Sequence, residues 1–315
     1  MERMVSILIP VYNEQDSLEE LYQQIMRNIT TIIEKGIVSA YEMWFVSDGC
    51  TDESEAEIKK LIIQDVNVHL ISFRRNFGKA AALQSGFRHV NGDIIITMDA
   101  DLQDDPMEIE RFINKLDEGF DLVSGWKYNR LDPLEKRLPS KLFNKVTSLL
   151  SGVKLHDFNC GFKAYKKEVA KSIDVYGEMH RYIPVLADRK GFKITEIEIT
   201  HRKREHGNSK YGWERYLRGL FDSLTTSFLL KYYDRPMYFF GRLGLMLFVI
   251  GFVICGLLTI SWFIGNAIGG RPLLLLGILC LILGVQSIST GFIGDMLVDA
   301  TYRSRYEESH VKEII

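Results

Sequence analysis

Cysteine is scarce in this chain and follows no recognisable spacing. The four cysteines are split between a polar part (Cys50, Cys160) and an apolar part (Cys255, Cys280). Neither a CxxC pair nor a mixed Cys/His metal spacing occurs, so nothing predicts a disulfide framework or a structural zinc site. Free thiols in a reducing compartment are the simplest interpretation.

The chain also lacks a strong charge of either sign and a secretory signal. Its formal net charge is −2, which provides no overall field for binding nucleic acid, and no nucleic-acid partner is expected. The apolar run at residues 5–11 is short, contains Pro10 and leads into polar residues instead of a small-residue cleavage site. We therefore expect the N-terminal part to stay in the cytosol.

Charge is almost absent from residues 237–294. Residues 237–265 contain one charged side chain, Arg242, and residues 273–294 contain none. A helix over residues 273–294 would be about 33 Å long, enough to cross a bilayer core. Basic residues flank the outer ends (Lys231 and Arg235 before, Arg303 after), whereas the turn holds only Arg271. The pattern predicts a two-span hairpin of a multi-pass inner-membrane protein, with both outer ends in the cytoplasm.

Short β-type runs alternate with amphipathic stretches before residue 200. Strands are predicted at residues 5–9, 42–46, 68–73, 93–98 and 122–125, and helices at 18–34, 53–64, 79–89 and 106–118. Ser17 with Glu20, and Asp52 with Glu55, match the capping-box spacing at two helix starts. Alternating β and α units predict an α/β domain with a mostly parallel sheet, whose ligands bind beyond the carboxyl ends of the strands.

The sequence predicts four regions along the chain. They are a cytosolic catalytic domain (1–212), an amphipathic interfacial helix (213–235), the transmembrane hairpin (236–297) and a cytosolic tail (298–315). The interfacial helix is predicted from apolar residues at near-helical spacing beside a membrane span. An ordinary packing helix of the globular domain is the alternative.

Two aspartates follow the apolar run that ends at Met98. Residues i and i+2 of an extended segment point to the same side, so Asp99 and Asp101 are expected to converge. Like charges placed together need a cation between them, and hard oxygen ligands suit Mg²⁺ or Mn²⁺. Gln103 adds a third candidate oxygen ligand. A solvated acidic loop is the competing interpretation of this pattern.

Further motifs follow the other predicted strands in order. They are IPVYNE (9–14), SDGCTD (47–52), RRNFGKAAAL (74–83), MDADLQDDP (98–106) and DFNCGFKAY (157–165). With these motifs, the chain resembles family 2 glycosyltransferases of the GT-A fold. The resemblance is to the branch of dolichyl-phosphate mannosyltransferases and bacterial polyprenyl-phosphate glycosyltransferases. It covers roughly residues 4–233, and the two-span tail also fits this branch.

The resemblance assigns roles by position. It implies that the nucleotide-sugar is bound by Pro10, Tyr12, Glu14, Asp48, Lys79, Asp99 and Ala100. It implies a metal held by Asp99, Asp101 and Gln103, with Asp101 and Asp157 as catalytic candidates. The chain departs from the family pattern at one point: some relatives that make lipid-linked glucose carry an acidic residue where this chain has Cys160, Gly161 and Phe162.

A lipid phosphate acceptor requires cations, and two basic clusters lie outside the nucleotide motifs. The expected acceptor contacts are Lys127, Lys136, Arg137 and Ser140 in one region, and Arg202 and Arg204 in the other. The reaction that the resemblance implies is an inverting transfer of a hexose to polyprenyl phosphate in the bilayer. UDP-glucose or a similar sugar, and GDP-mannose, remain open as donors, and a homo-oligomer is possible.

Other functions fit the sequence less well. The GxxxxGK spacing of a P-loop ATPase is absent around Lys79. A processive polysaccharide synthase shares the GT-A motifs but normally carries a QxxRW motif, absent here, and more than two spans. A non-enzymatic glycan-assembly protein would be expected to have lost a metal carboxylate or a nucleotide contact, and each of these is present.

Overall fold

The computed structural model describes residues 3–128, 144–145, 147–149, 151–177, 179–200, 232, 235–267 and 272–304. Contacts within the chain divide it into two compact units, Met1–Ser223 and Leu224–Ile315. The first is an α/β unit and the second contains the two long apolar helices.

In the part of the first unit that the structure describes, seven strands form one sheet. They are β1 (Met4–Val11), β2 (Ala40–Ser47), β3 (Val68–Ser72), β4 (Ile94–Thr97), β5 (Leu122–Lys127), β6 (Lys163–Lys166) and β7 (Ile194–Ile199). Their order across the sheet is β3-β2-β1-β4-β6-β5-β7. Only β6 runs antiparallel to its neighbours, so the sheet is mostly parallel, as predicted.

The helices of this unit lie between the strands in the chain. They are α1 (Leu18–Glu34), α2 (Ser54–Gln64), α3 (Lys79–His89), α4 (Ile109–Asp117), α5 (Lys167–Ser172) and α6 (Ile183–Arg189), with 3₁₀ turns at Pro106–Glu108 and Met179–Tyr182. Helix α1 buries Leu18, Leu21, Ile25, Ile29 and Ile32. This spacing of three and four residues puts one apolar stripe against the sheet. Both faces of β1 are buried from Val5 to Ile9, as expected for a covered parallel strand.

Neither predicted capping box forms in full. Asp52 accepts a hydrogen bond from the backbone N–H of Ser54 at 3.0 Å, but Glu55 does not complete that box. The Ser17 side chain makes no capping hydrogen bond at the start of α1. Ser17 instead donates its hydroxyl to the carbonyls of Glu14 and Ala100. Glu55 accepts hydrogen bonds from Ser47 and Ser72, which join β2 and β3 to α2. Ser17 and Glu55 therefore form hydrogen bonds outside the local caps to which the sequence pattern assigns them.

Among the described residues of the second unit, two helices are long and apolar enough to cross a membrane, α7 (Met237–Phe263) and α8 (Pro272–Ser304). They pack along a seam of small residues. A Cβ at Gly251 would lie 2.6 Å from the carbonyl oxygen of Gly277, and one at Gly244 would lie 2.6 Å from that of Gly284. Close backbone approach through glycine is how helices associate in lipid, where burial from water contributes little.

Candidate active site

Three loops meet at the carboxyl ends of β1, β2 and β4. Asn13, after β1, accepts a hydrogen bond at its side-chain oxygen from the backbone of Thr51, after β2 (2.8 Å). Ser17 donates to the carbonyl oxygen of Ala100, after β4, at 2.7 Å. The IPVYNE, SDGCTD and DAD motifs are therefore joined to one another, at the edge where a parallel sheet places its ligands.

Asp48 holds the loop that leads into α3. Its two carboxylate oxygens accept hydrogen bonds from the backbone N–H groups of Phe77 (2.7 Å) and Gly78 (2.9 Å). The adjacent Gly49 has a φ of +67°, and a Cβ there would lie 2.2 Å from the backbone of Arg75. Only glycine fits such a position. Asp48 thereby fixes the segment that presents Lys79, the first residue of α3.

Asp99 and Asp101 lie in opposite electrostatic environments. Burial raises the pKa of Asp99, but the ammonium groups of Lys79 and Lys127 outweigh it and hold that pKa at about 2. Lys79 forms an ion pair with the Asp99 carboxylate. Burial, together with the charges of Asp99 and Asp104, raises the pKa of Asp101 to about 6. The carboxylates of the turn after β4 thus carry more negative charge than the ammonium groups of Lys79 and Lys127 balance.

The backbone of Gly161 lies directly against Asp99. A Cβ at Gly161 would be 2.6 Å from both carboxylate oxygens of Asp99, so no other residue leaves that carboxylate in place. Thr97 donates its hydroxyl to the Gly161 carbonyl at 2.8 Å and ties this loop to β4. Sequence reasoning did not identify Gly161 as a site residue. The GF pair of the DFNCGFKAY motif was the only available signal.

The donor atoms fit a divalent cation that is shared with a substrate. Within the described ranges, no group of three or more His, Cys, Asp or Glu side chains is arranged to hold a metal ion by itself. Two carboxylates and the amide of Gln103 form an incomplete oxygen set, typical of Mg²⁺ sites that substrate phosphates complete. The backbone N–H of Gln103 donates to the Asp101 carboxylate at 3.2 Å, which ties that side chain to the turn. The raised pKa of Asp101 marks the charge that a cation would balance.

The remaining predicted residues belong to the nucleotide, catalytic and acceptor sets, in that order. Pro10 and Glu14 are partly buried, and Tyr12 is about half exposed (49%) at the end of β1. Asp157 is buried and accepts a hydrogen bond from the backbone of Asn159 at 3.0 Å. Lys127 forms an ion pair with Asp104 at 2.9 Å. The predicted acceptor contacts Lys136, Arg137, Ser140, Arg202 and Arg204 lie outside the described residues.

Comparison with known sequences identifies the family. The sequence profile of glycosyl transferase family 2 matches residues 6–174, which include the three loops and the Gly161 segment. The chain belongs to glycosyl transferase family 2. This membership agrees with the α/β sheet, the paired aspartates and the resemblance stated from the motifs.

Full-length relatives extend this assignment to the membrane helices. The chain is 35% identical to a dodecaprenyl-phosphate galacturonate synthase of Rhizobium johnstonii, over 98% of this chain and 91% of that protein. It is also 35% identical to an undecaprenyl-phosphate 4-deoxy-4-formamido-L-arabinose transferase of Salmonella choleraesuis, over 96% of this chain and 92% of that protein. The chain is therefore a membrane glycosyltransferase of the polyprenyl-phosphate branch.

A solved structure confirms the GT-A fold. The crystal structure of glucosyl-3-phosphoglycerate synthase from Mycobacterium tuberculosis, in complex with Mn²⁺, UDP and phosphoglyceric acid, superposes with a TM-score of 0.54. It covers 71% of this chain and 78% of the crystallised one, at 18% sequence identity. At that identity the likeness concerns the fold, and the Mn²⁺ belongs to the crystallised protein.

Proposed function

We propose that this glycosyltransferase moves a sugar from a nucleotide-sugar to polyprenyl phosphate on the cytoplasmic face of the inner membrane. The observation that carries the proposal is the convergence of Asp99 and Asp101 with Lys79 at the carboxyl edge of the sheet. The 35% identity to two polyprenyl-phosphate enzymes, which extends through both apolar helices, supports the lipid acceptor.

The donor would be held by the three joined loops. Tyr12 and Asp48 would contact the base and ribose together with Pro10 and Glu14, and Lys79 would lie beside the diphosphate. Asp99, Asp101 and Gln103 would hold Mg²⁺ or Mn²⁺, which when bound stabilises the leaving nucleotide diphosphate. The Lys79 ammonium, which forms an ion pair with the Asp99 carboxylate, would add positive charge beside the same diphosphate.

A phosphate acceptor needs little activation. The second proton of a phosphate monoester leaves near pKa 6, so the acceptor is largely anionic at neutral pH. The task of the protein is then alignment, which holds the acceptor oxygen in line with the sugar carbon and its leaving group. One displacement of this kind inverts the configuration at that carbon. Asp157 is proposed to help orient the sugar or the acceptor.

The proposal is tested with purified protein in nanodiscs, polyprenyl phosphate and a panel of radiolabelled nucleotide-sugars. We expect one class of donor to label an organic-soluble lipid, in a reaction that stops with EDTA and resumes with Mn²⁺ or Mg²⁺. The panel includes glucose, galactose, mannose and N-acetylhexosamine donors together with uronate and aminopentose donors. Labelling of a polymer instead of a single-sugar lipid would favour a processive synthase.

The acceptor side is tested separately. Arg137→Ala and Arg202→Ala are expected to lower kcat/KM for polyprenyl phosphate by about tenfold to a hundredfold, the contribution of one charge-assisted hydrogen bond. Nucleotide-sugar affinity, measured by calorimetry without acceptor, should stay unchanged. Lost nucleotide affinity with normal acceptor kinetics would place these residues in the donor site.

A further inference from the structure

Gln286 is a polar side chain deep inside the longer of the two apolar helices. It lies on α8, thirteen residues after Leu273 and eight before Gly294, which are the ends of the run without charge. At 1.5 Å per residue, these ends are about 20 Å and about 12 Å away, so Gln286 lies near the middle of a bilayer core of about 30 Å. Hydrocarbon offers its amide no hydrogen-bond partner.

The Gln286 amide also lacks a partner within the chain. Its side chain is exposed, and among the residues that the structure describes it forms no hydrogen bond. The nearby hydroxyls differ, because Ser289 donates to the carbonyl of Val285 at 3.0 Å and Thr290 donates to that of Gln286 at 2.9 Å. An amide left unpaired in hydrocarbon is strongly destabilising, so Gln286 requires a partner from outside the hairpin.

Gln286 belongs to an exposed stripe on the side of α8 that faces away from α7. Its members recur at intervals of three and four residues, the spacing by which parallel helices pack together. We call them the outer stripe: Leu279, Ile282, Gln286, Ser289, Ile293 and Met296. Each of the four apolar members exposes more than half of its surface, and four of the six residues line one groove around Gln286. Helix α7 packs on the other side, against Gly277 and Gly284.

A second copy of this chain has the group that Gln286 lacks. Every copy crosses the membrane in the same direction, so two α8 helices run parallel and bring their Gln286 residues to the same depth. An amide carries both N–H donors and a carbonyl acceptor, so across a twofold axis each Gln286 donates to the other. Lipid tails and polyprenyl chains are hydrocarbon and provide neither group.

We propose that the outer stripe of α8 is the interface at which two copies of this chain associate in the membrane, joined by hydrogen bonds between their Gln286 side chains. One polar residue in an otherwise apolar stripe fixes the register of packed helices. Hydrogen bonds from Gln across helices also strengthen helix association in lipid. The inference requires that α8 crosses the membrane, and it does not depend on the donor, the acceptor or the metal.

Disulfide cross-linking in membranes tests where the interface lies. In a variant whose two helix cysteines are replaced by alanine, Ile282→Cys and Ile293→Cys place a thiol on the outer stripe. Leu276→Cys and Leu283→Cys are the controls, since both positions are exposed but lie about 100° around the helix from the stripe. Mild oxidation should link the outer-stripe variants into a product of twice the mass of the chain and leave the controls monomeric. Equal yields from the two sets would overturn the inference.

Gln286→Met tests the amide itself, because methionine keeps the length of the side chain and removes its hydrogen-bonding groups. Copies labelled with two different fluorophores are mixed in liposomes, and energy transfer at increasing lipid dilution gives the apparent Kd of association. We expect Gln286→Met to raise this Kd about three- to thirtyfold. Thr290→Val is the matched control, because the Thr290 hydroxyl is bonded within its own helix, and it should leave the Kd nearly unchanged.

Each measurement can reject the inference without the other. If Gln286→Met does not insert into membranes, cross-linking of chains that keep Gln286 still decides the question. A cross-linked product whose mass requires a different protein would assign the outer stripe to another partner and overturn the inference. Absence of energy transfer between wild-type copies, or the same Kd for Gln286→Met and the wild type, would also overturn it.

Discussion

Asp104 and Lys127 form a buried ion pair beside the candidate metal site, with the ammonium nitrogen 2.9 Å from Oδ1 of the carboxylate. The Asp104 side chain is fully buried and that of Lys127 is 11% exposed. Burial lowers the pKa of Lys127, but Asp104 outweighs it and raises that pKa, so the lysine stays charged. Asp104 also accepts a long hydrogen bond of 3.5 Å from the backbone of Asp99. The pair therefore supports the turn that carries both metal carboxylates.

This pair gives Lys127 a structural role that can be separated from acceptor binding. Lys127→Met should destabilise the domain by about 3–5 kcal/mol, because it leaves the Asp104 charge buried without a partner. The double variant Lys127→Met/Asp104→Leu should recover most of that stability. Chemical denaturation measures both, with Lys115→Met, an exposed-pair lysine, as the control. A raised KM for polyprenyl phosphate with unchanged stability would instead make Lys127 an acceptor contact only.

Asp101 should reduce the stability of the metal-free protein at neutral pH. Its pKa is raised from 3.8 to about 6, so the folded state binds the proton more tightly than the unfolded chain. Stability from this group is present at low pH and is lost as pH rises from about 4 to 6, by at most about 3 kcal/mol. Asp101→Asn should therefore raise the thermal midpoint at pH 7.5 without metal and change it little at pH 4.

The same variant tests the metal. Mn²⁺ should raise the thermal midpoint of the wild type by mass action and leave that of Asp101→Asn almost unchanged. Transfer should fall at least about a hundredfold, the scale of losing a group that stabilises transition-state charge. Full activity of Asp101→Asn in EDTA would contradict the metal assignment.

Gly161→Ala should disable the site by sterics alone. The added Cβ would lie 2.6 Å from both Asp99 oxygens and displace that carboxylate from its position. Since Gly161 does not have a positive φ, alanine adds no backbone strain there. We expect weaker Mn²⁺ binding and transfer reduced by about a hundredfold, the scale of a misplacement of about 1 Å. Unchanged Mn²⁺ affinity by calorimetry would refute this role.

Local pattern predicted the first four helices well, but it missed α5 and α6 and predicted the sheet incompletely. The bounds of α1 and α3 match their predictions, because a long apolar periodicity and flanking turn residues define each one. The predicted helix at 106–118 begins with a 3₁₀ turn at Pro106–Glu108, where Asp105 accepts a hydrogen bond from the backbone of Met107, and the α-helix starts at Ile109. Strands β6 and β7 were not predicted. The first has only four residues with lysine at both ends, and the second places glutamate at alternate positions.

At the site, the sequence predicted which residue types converge but not which ones pair. Asp99 acts electrostatically on Asp101, as the predicted convergence requires, although β4 ends at Thr97 and the two residues lie in the turn after it. The pairing of Lys79 with Asp99, and the approach of Gly161 to the same carboxylate, depend on contacts between segments far apart in the chain. The approach of Gly161 is set by the register of β4 against β6, and the place of Lys79 by the loop that Asp48 holds, neither of which a single sequence reveals.

Topology remains a prediction from charge. Basic residues flank both outer ends of the hairpin, so the catalytic unit and the C-terminus are expected on the cytoplasmic side. Reporter fusions at Asn266 and Ile315 should report opposite sides of the membrane. Matching reports from the two fusions would rule out a hairpin that crosses the membrane twice.

The glycine seam between α7 and α8 leads to a prediction about Gly251, and Gly256 on the same helix is its control. Gly251 faces α8, where a Cβ would lie 2.6 Å from the Gly277 carbonyl oxygen and 2.7 Å from the Leu281 nitrogen, whereas Gly256 has no atom within 4 Å. Gly251→Leu should force the helices apart and lower the thermal midpoint in detergent, because close packing provides most of their attraction in lipid. Gly256→Leu should leave that midpoint unchanged. Equal effects of the two substitutions would mean that the seam does not hold the hairpin together.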